Sequence, residues 1–481
     1  MKLIKFFMEN IFFRNNKVNN LNYIFLLTIP IFLIINHNVA DLLIIIMGLI
    51  FLYLFLLKKI TFKINVIFED KIILLFIIFW IVLVLSSITS DFKANSFIRS
   101  ITYIRFIIFL IVCKYWLLVN QKRIIFILYT LAGCSLFVSV DIIYQFFNTK
   151  EVLINGKSFF VGTDIFGYKS IPWGPRLQGP FGDSLIAGTY LRPFSIFFIV
   201  FFLNKLKKQN SIYDITFILS VVFFNFVILI TGDRSPYFLF ILSIFILCII
   251  LREYLVKIFI SILFCVIFTT LFLYKNPSYE KRYVADTFEA LNFVRLNQEI
   301  SLIKNNEKNN FDDNKINKFS YNYKDYLDFG YGHLYYSAIK IFLDKPFFGV
   351  GTKNYRLVCF EDKYNFPSKK GNELCSTHPH NFYLELLSET GLFGFVSFFS
   401  IFFIFFKKNL KFIVFYIGKN FIFFRSLLLV NIVNLWPFVP TGSIITNRSS
   451  IYFWFSFALL ISFTAVLKKS FINTRLESKK I

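Results

Sequence analysis

The 481-residue sequence predicts an all-α, polytopic membrane protein of about twelve transmembrane helices with one helical outer-loop subdomain. Three observations predict it. Hydrophobic residues make up 57% of the chain and charged residues 17%, with a mean hydropathy of +0.64; that is more apolar surface than a soluble protein can hide. Apolar runs recur at the length a bilayer core demands, about 20 residues per helix. Lys and Arg concentrate on alternate loops. The same composition excludes disorder, coiled coil and collagen.

Spans are read near 21–35, 39–57, 72–88, 101–118, 124–147, 184–203, 215–231, 236–251, 258–274, 391–406, 421–435 and 451–467. Only His37 and Asn38 separate the first two. The N-terminus, MKLIKFFMENIFFRNNK, is basic, and the apolar run after it lacks a small-residue cleavage site, so the first span is read as uncleaved. With the N-terminus inside, cytoplasmic segments hold about 24 Lys and Arg and the short loops opposite hold about 4. The net charge of +24 is therefore mainly a topology signal, and no nucleic-acid partner is expected. Four of the six Cys (Cys113, Cys134, Cys248, Cys265) lie in apolar runs and read as small buried hydrophobes.

Three units follow: an N-terminal bundle, 1–274, of about nine spans with an outer loop at 148–183; a large outer-loop subdomain, 275–390; and a C-terminal bundle, 391–481, of about three spans. The large loop contains an Asn-rich, charged section, 305–318, read as a flexible insert. It continues into a helix-like stretch, 331–343, where Leu334, Ala338, Ile339 and Phe342 recur at helical spacing. No internal repeat is visible, and one very unequal loop argues against the matched halves of many transporters.

The densest polar cluster is Ser376-Thr377-His378-Pro379-His380-Asn381, followed by Glu385, Glu389, Gly391 and Gly394 at the start of the tenth span. An imidazole is a natural general base near neutral pH, and a neighbouring carboxylate can hold its tautomer. The competing reading is a helix cap from His380-Asn381 with small-residue packing at the glycines. His378 and His380 are wrongly spaced for one helix face, so no metal is expected. Arg192 lies about 12 Å into span six, where a charge is functional by default; a structural pair with Asp141 is the alternative. Arg176 and Arg234 sit at span ends, where interfacial snorkelling competes with a role. Guanidinium groups around one outer cavity suit a pyrophosphate, because their fork matches phosphate oxygens. Cys359 and Cys375 fall in the outer loop, where an oxidising compartment favours a disulfide.

His380-Asn381, nine residues, Gly391, two residues, Gly394 resembles the H-N-x9-G-x-x-G pattern of the bacterial O-antigen ligase and polymerase-related family. Four further stretches are similar to that family: Arg176-Leu-Gln-Gly-Pro-Phe-Gly-Asp with Ala187 and Tyr190-Leu191, Ile230-Thr-Gly-Asp-Arg234, Asp344-Lys-Pro-Phe-Phe-Gly-Val-Gly351, and Trp436-Pro-Phe-Val-Pro-Thr-Gly442. The resemblance spans 176–442, over half the chain. It implies a GT-C-like inner-membrane glycosyltransferase with its active site facing the periplasm and no cofactor. The implied donor is a glycan on undecaprenyl pyrophosphate and the implied acceptor is lipid A–core, as in an O-antigen ligase of lipopolysaccharide biosynthesis. In that reading His380 is the base, Arg234 is catalytic, Arg176, Arg192 and His333 contact the pyrophosphate, and Asn381, Glu385, Glu389 and His378 support them. The family commonly carries an arginine before the loop helix, where this chain has Gly332-His333-Leu334; His333 and Arg295 are the candidates for its role. A polysaccharide polymerase or a protein O-oligosaccharyltransferase of the same family are alternative readings, and a non-enzymatic polysaccharide transporter is the reading from another class.

Overall fold

In lipid a backbone must satisfy its own hydrogen bonds, so long apolar runs become helices. The computed structural model describes residues 17–60, 64–154, 157–169, 174–182, 184–205, 211–290, 331–365, 375–415, 421–445 and 447–478. The helices that build it are α1 (Lys17–Ile35), α2 (His37–Leu56), α3 (Lys71–Ile88), α4 (Lys93–Leu117), α5 (Gln121–Asn148), α6 (Ala187–Lys205), α7 (Ser211–Ile230), α8 (Arg234–Ile250), α9 (Leu255–Lys275), α10 (Gly332–Asp344), α11 (Phe382–Phe415), α12 (Ile422–Asn434) and α13 (Asn447–Ser478). Among the described residues nine helices are long and apolar enough to cross a membrane, and the apolar parts of α6, α8 and α12 are shorter. Together these twelve fall on the twelve apolar runs. α13 is the most enclosed span and α9 the least.

Polar residues in the short breaks start the next helix. Asn36 Oδ1 accepts Asn38 N, Asp70 Oδ1 accepts Ile72 N, and Asn120 Oδ1 accepts Lys122 N. Each satisfies a donor that the first turn would otherwise leave open. Two helices separated by one residue, α1 and α2, thus remain distinct.

Loops expected on one face meet each other. Among loops expected inside, Arg123 Nη1 donates to Asn19 Oδ1 at 2.7 Å and Arg425 Nη1 to Glu253 Oε1 at 2.9 Å. Among loops expected outside, Tyr279 Oη donates to Ile230 O at 3.0 Å and Thr441 N to His380 O at 2.7 Å. Loops that the charge pattern places on one face are neighbours in the fold.

Three features differ from the sequence reading. First, α11 begins at Phe382, not near Gly391; the helix instead breaks at Gly391, which has φ 63° and ψ −166°. The cause is a close approach: Leu392 N donates to Pro346 O and Phe393 N to Phe347 O, and a Cβ at Gly391 would stand 2.3 Å from the Phe347 carbonyl carbon. Second, α10 buries Leu334, Ser337, Ala338 and Ile341, leaving Ile339 exposed, so its packed stripe is turned from the predicted one. Third, the first outer loop holds an antiparallel pair, β1 (Lys150–Ile154) and β2 (Lys157–Val161). The Asn-rich insert and Arg295 lie outside the described residues.

The 350–354 stretch is held against α3, α4 and the turn between them by polar contacts. Ser87, Ser96, Ser100 and Thr352 share buried hydroxyl contacts of 2.6–3.1 Å, and Asn354 Nδ2 donates to Ser90 Oγ and Val350 O. Cys359 and Cys375 are joined with a Cα–Cα distance of 5.8 Å. The other four cysteines are free thiols.

Candidate active site

The predicted site residues fall into three groups near helix ends. The first surrounds His380. Asn381 Oδ1 accepts Tyr383 N at 3.0 Å and Leu384 N at 3.3 Å, capping α11, while its Nδ2 donates to Pro437 O. Capping and site membership therefore coexist. His380 takes a left-handed backbone, φ 53°, that a non-glycine residue holds only under constraint. The constraint comes from the Trp436–Gly442 stretch: Thr441 N donates to His380 O, and Thr441 Oγ1 accepts Phe382 N at 2.9 Å.

The His380 ring stacks on Tyr331 with centroids 4.5 Å apart and lies 4.2 Å from His378. Ser376 Oγ is 3.5 Å from Nε2. Burial, then the charges of His378 and His333, lowers the His380 pKa to about 4, with Glu385 opposing. Burial and then Lys353 bring His378 to about 4 as well. Both rings are neutral at pH 7, with a lone pair open to accept a proton. His333, on the first turn of α10, belongs to this group through its field on His380.

Glu385 and Glu389 do something other than orient the imidazole. Among the described residues no hydrogen bond joins Glu385 to His380. Glu385 is fully buried; it accepts Ile444 N at 2.9 Å and the Ser443 hydroxyl, and pairs with Lys353 Nζ at 3.9 Å. Lys353 Nζ also donates to Ser443 Oγ at 2.9 Å. Glu389 accepts the Lys353 and Tyr355 amides at 2.7 and 3.3 Å. Because their helix runs beneath the loops, the two carboxylates tie the 352–355 and 443–444 turns to α11. Lys353, 7% exposed, was not singled out by sequence.

The second group surrounds the 231–234 turn. Leu177 N donates to Thr231 O, and the approach is so close that a Cβ at Gly232, φ 69°, would stand 1.9 Å from Pro175 O. Arg176 then reaches Asp233 Oδ1 through Nη2 at 2.6 Å and Nε at 3.1 Å. Burial raises the Asp233 pKa, and Arg176 opposes it. Arg234 Nη1 donates to Thr287 Oγ1 at 3.3 Å. Arg282 Nε donates to Gly232 O; burial, then Arg176 and Arg234, lowers its pKa. Arg176 thus binds the Asp233 carboxylate, Arg282 lies within its field, and Arg234 lies within the field of Arg282. Arg282 is a residue the sequence reading missed, set among Lys275 and Lys281 at the end of α9.

The third group is Arg192, 9% exposed, whose Nη2 donates to Asn434 Oδ1 at 2.6 Å. The alternative pairing with Asp141 is not formed: Asp141 Oδ1 accepts Ile165 N at 2.8 Å. Arg192 lines a cavity of about 200 Å³ between α6, α8, α12 and α13. Ser235, next to Arg234, and Thr441, which donates to His380 O, are in its wall, as is Phe382, which donates to Thr441 Oγ1. His380, Arg176 and Arg234 are not themselves in that wall; the first two groups reach it only through chain neighbours and Thr441. Among the described residues no cluster of three His, Cys, Asp or Glu side chains could hold a metal.

Residues 217–399 match the family model described as O-Antigen ligase. That segment contains Arg234, His333 and His380 and the glycines of the 344–351 and 391–394 stretches, but neither Arg176 nor Arg192. No curated protein matches the chain.

Proposed function

We propose, on the premise that this multi-pass membrane chain carries an O-antigen ligase-family segment at 217–399, that it transfers a glycan from undecaprenyl pyrophosphate to a sugar hydroxyl of lipid A–core at the periplasmic face of the bacterial inner membrane. The family comprises membrane glycosyltransferase-like ligases and polymerases. The observation that carries the reading is the convergence of its motifs: His380 is held by Thr441 at the wall of a cavity that Arg192 lines and that Ser235, beside Arg234, helps to close.

The chemistry follows from protonation and charge. The acceptor oxygen attacks the anomeric carbon, its proton passes to neutral His380, and the sugar–pyrophosphate C–O bond breaks with its electron pair leaving on the pyrophosphate. Attack opposite the leaving group inverts the anomeric centre. Arg234, with Arg176 and Arg192, stabilises the charge gathering on the pyrophosphate. Asp233 holds the Arg176 fork in place. A histidine of pKa about 4 is a weak base, so its work is to receive the proton late, as the C–O bond breaks.

The test is deletion of the protein followed by gel analysis of lipopolysaccharide, with complementation by wild type and by His380→Ala. Loss of all long-chain glycan from core, with lipid-linked polymer accumulating, supports the ligase. Collapse to single repeats assigns a polymerase instead. Full complementation by His380→Ala removes its role as base.

A further inference from the structure

An imidazole that accepts a proton in one fixed direction needs its ring held, and its usual holder is a hydrogen-bonded carboxylate. Among the described residues His380 has none. Glu385 is committed to the Ser443 hydroxyl and the Ile444 amide, and the Ser376 Oγ contact with Nε2 is long, at 3.5 Å. Thr441 N on His380 O pins the backbone and leaves the side-chain torsions to other contacts.

What touches the ring is aromatic. The Tyr331 ring lies on it with centroids 4.5 Å apart and planes 27° from parallel, and the His378 ring is 4.2 Å away at 43°. That spacing is within the range of favourable aromatic pairs. Tyr331 directly precedes α10, whose Leu334, Ser337, Ala338 and Ile341 are buried and whose Leu334 O accepts Tyr355 Oη at 3.0 Å. The phenol is therefore carried to His380 by a helix that is itself anchored.

The stack also meets a charge. On accepting a proton His380 becomes a cation in a half-buried place, which burial disfavours. Positive charge on His378 or His333 opposes it too, Glu385 favours it through space, and Lys353 acts on His378. Ser376 and Thr441 are neutral. A cation within about 6 Å of an aromatic face is attracted by the ring quadrupole, and Tyr331 supplies that face.

We propose that Tyr331 is the positioning residue for His380, standing where a dyad carboxylate would: its ring fixes the imidazole plane, and its face stabilises the imidazolium formed when the acceptor hydroxyl gives up its proton. This role rests on the proton-accepting role given to His380 above.

Tyr331→Phe and Tyr331→Leu in the full chain test it. Phe keeps the aromatic face, whereas Leu keeps bulk and loses the face. In NMR spectra of the detergent-solubilised protein labelled at its four histidines, with His380→Gln identifying the resonance, the His380 ring protons carry an upfield ring-current shift that Phe retains and Leu abolishes. In transfer assays Tyr331→Leu loses about tenfold in kcat with KM unchanged, and the acid limb of its pH profile moves down by about half a pH unit, because the imidazolium has lost a stabilising face. Tyr331→Phe restores both. Wild-type kcat and acid limb in Tyr331→Leu overturn the role, as does equal loss in Phe and Leu, which assigns the hydroxyl instead. If Tyr331→Leu is intact while His380→Gln is inactive, only Tyr331 falls; if His380→Gln transfers as wild type, the base falls and Tyr331 with it.

Discussion

Lys353→Met is the substitution whose outcome follows most directly from the structure. Lys353 and Glu385 are 7% and 0% exposed, with Nζ and Oε1 3.9 Å apart. At an effective dielectric of about 20, two unit charges at that distance attract by about 4 kcal/mol. Removing the lysine loses that attraction and its hydrogen bond to Ser443, leaving a buried carboxylate held by Ser443 and the Ile444 amide. Breaking a buried pair from one side typically costs about 3–5 kcal/mol, whereas removing both charges is often nearly neutral. Lys353→Met should therefore destabilise by about 4 kcal/mol, and Lys353→Met/Glu385→Gln should recover most of it. SDS unfolding in mixed micelles across the four-member cycle measures the coupling. Additive losses, with coupling below about 0.5 kcal/mol, would refute the buried pair as the tie between the 352–355 turn and the 443–444 loop.

Other consequences concern the site and its frame. His380→Ala abolishes glycan transfer while the protein still inserts and folds; transfer assays beside size-exclusion profiles check this. Arg234→Ala loses far more activity than Arg234→Lys, because Lys keeps the charge but not the fork; equal losses count against a bidentate phosphate contact. His378 and His380 titrate near 4 in the fold against 6.5 unfolded, so below about pH 6.5 the unfolded chain takes up protons that the native one refuses. The contribution of these two histidines should be level above that pH and be lost between about 6.5 and 4, and His378→Gln/His380→Gln should reduce the slope in that window in pH-resolved thermal unfolding. Gly391→Ala should destabilise by at least about 1–3 kcal/mol, since its φ is 63° and the new Cβ meets Phe347 backbone; a neutral effect in the same unfolding assay would show that the break in α11 relaxes.

The helices were legible because lipid makes two signals dominant, run length and loop charge, and neither depends on contacts between distant residues. The short breaks were legible for the same reason, as Asn36, Asp70 and Asn120 act on amides two residues away. What escaped the sequence was set by long-range packing. Lys353 reads as a surface charge in a turn, and only its contacts with Ser443 and Glu385, ninety and thirty-two positions away, make it a buried one. Tyr331 reads as the start of a loop helix; its significance lies in the His380 ring stacked on it. Arg192 was correctly marked as costly in lipid, but its partner is Asn434 on α12 and not Asp141. The β1–β2 pair had a local signal, Asn155-Gly156 between two apolar-rich runs, outweighed by an all-helical expectation.

The motifs behave as complementary pairs, and this explains why weak patterns carry information together. The 176–182 stretch lies on the 231–233 turn through Leu177 N and Thr231 O, the 344–351 turn lies on 388–393 through four backbone bonds, and the 436–442 stretch lies on 380–382 through Thr441. In the first two pairs, glycines at 232 and 391 permit backbones to approach closer than any Cβ allows. Of the residues proposed to carry the chemistry, His380 is itself in such a contact, Arg176 is beside one and Arg234 is two positions from Gly232. A side chain so close to a rigid backbone junction has its position fixed by main-chain hydrogen bonds more than by its own partners. That is the condition for a preorganised site, and it accounts for glycine and proline spacing being the most readable trace of the site in the sequence.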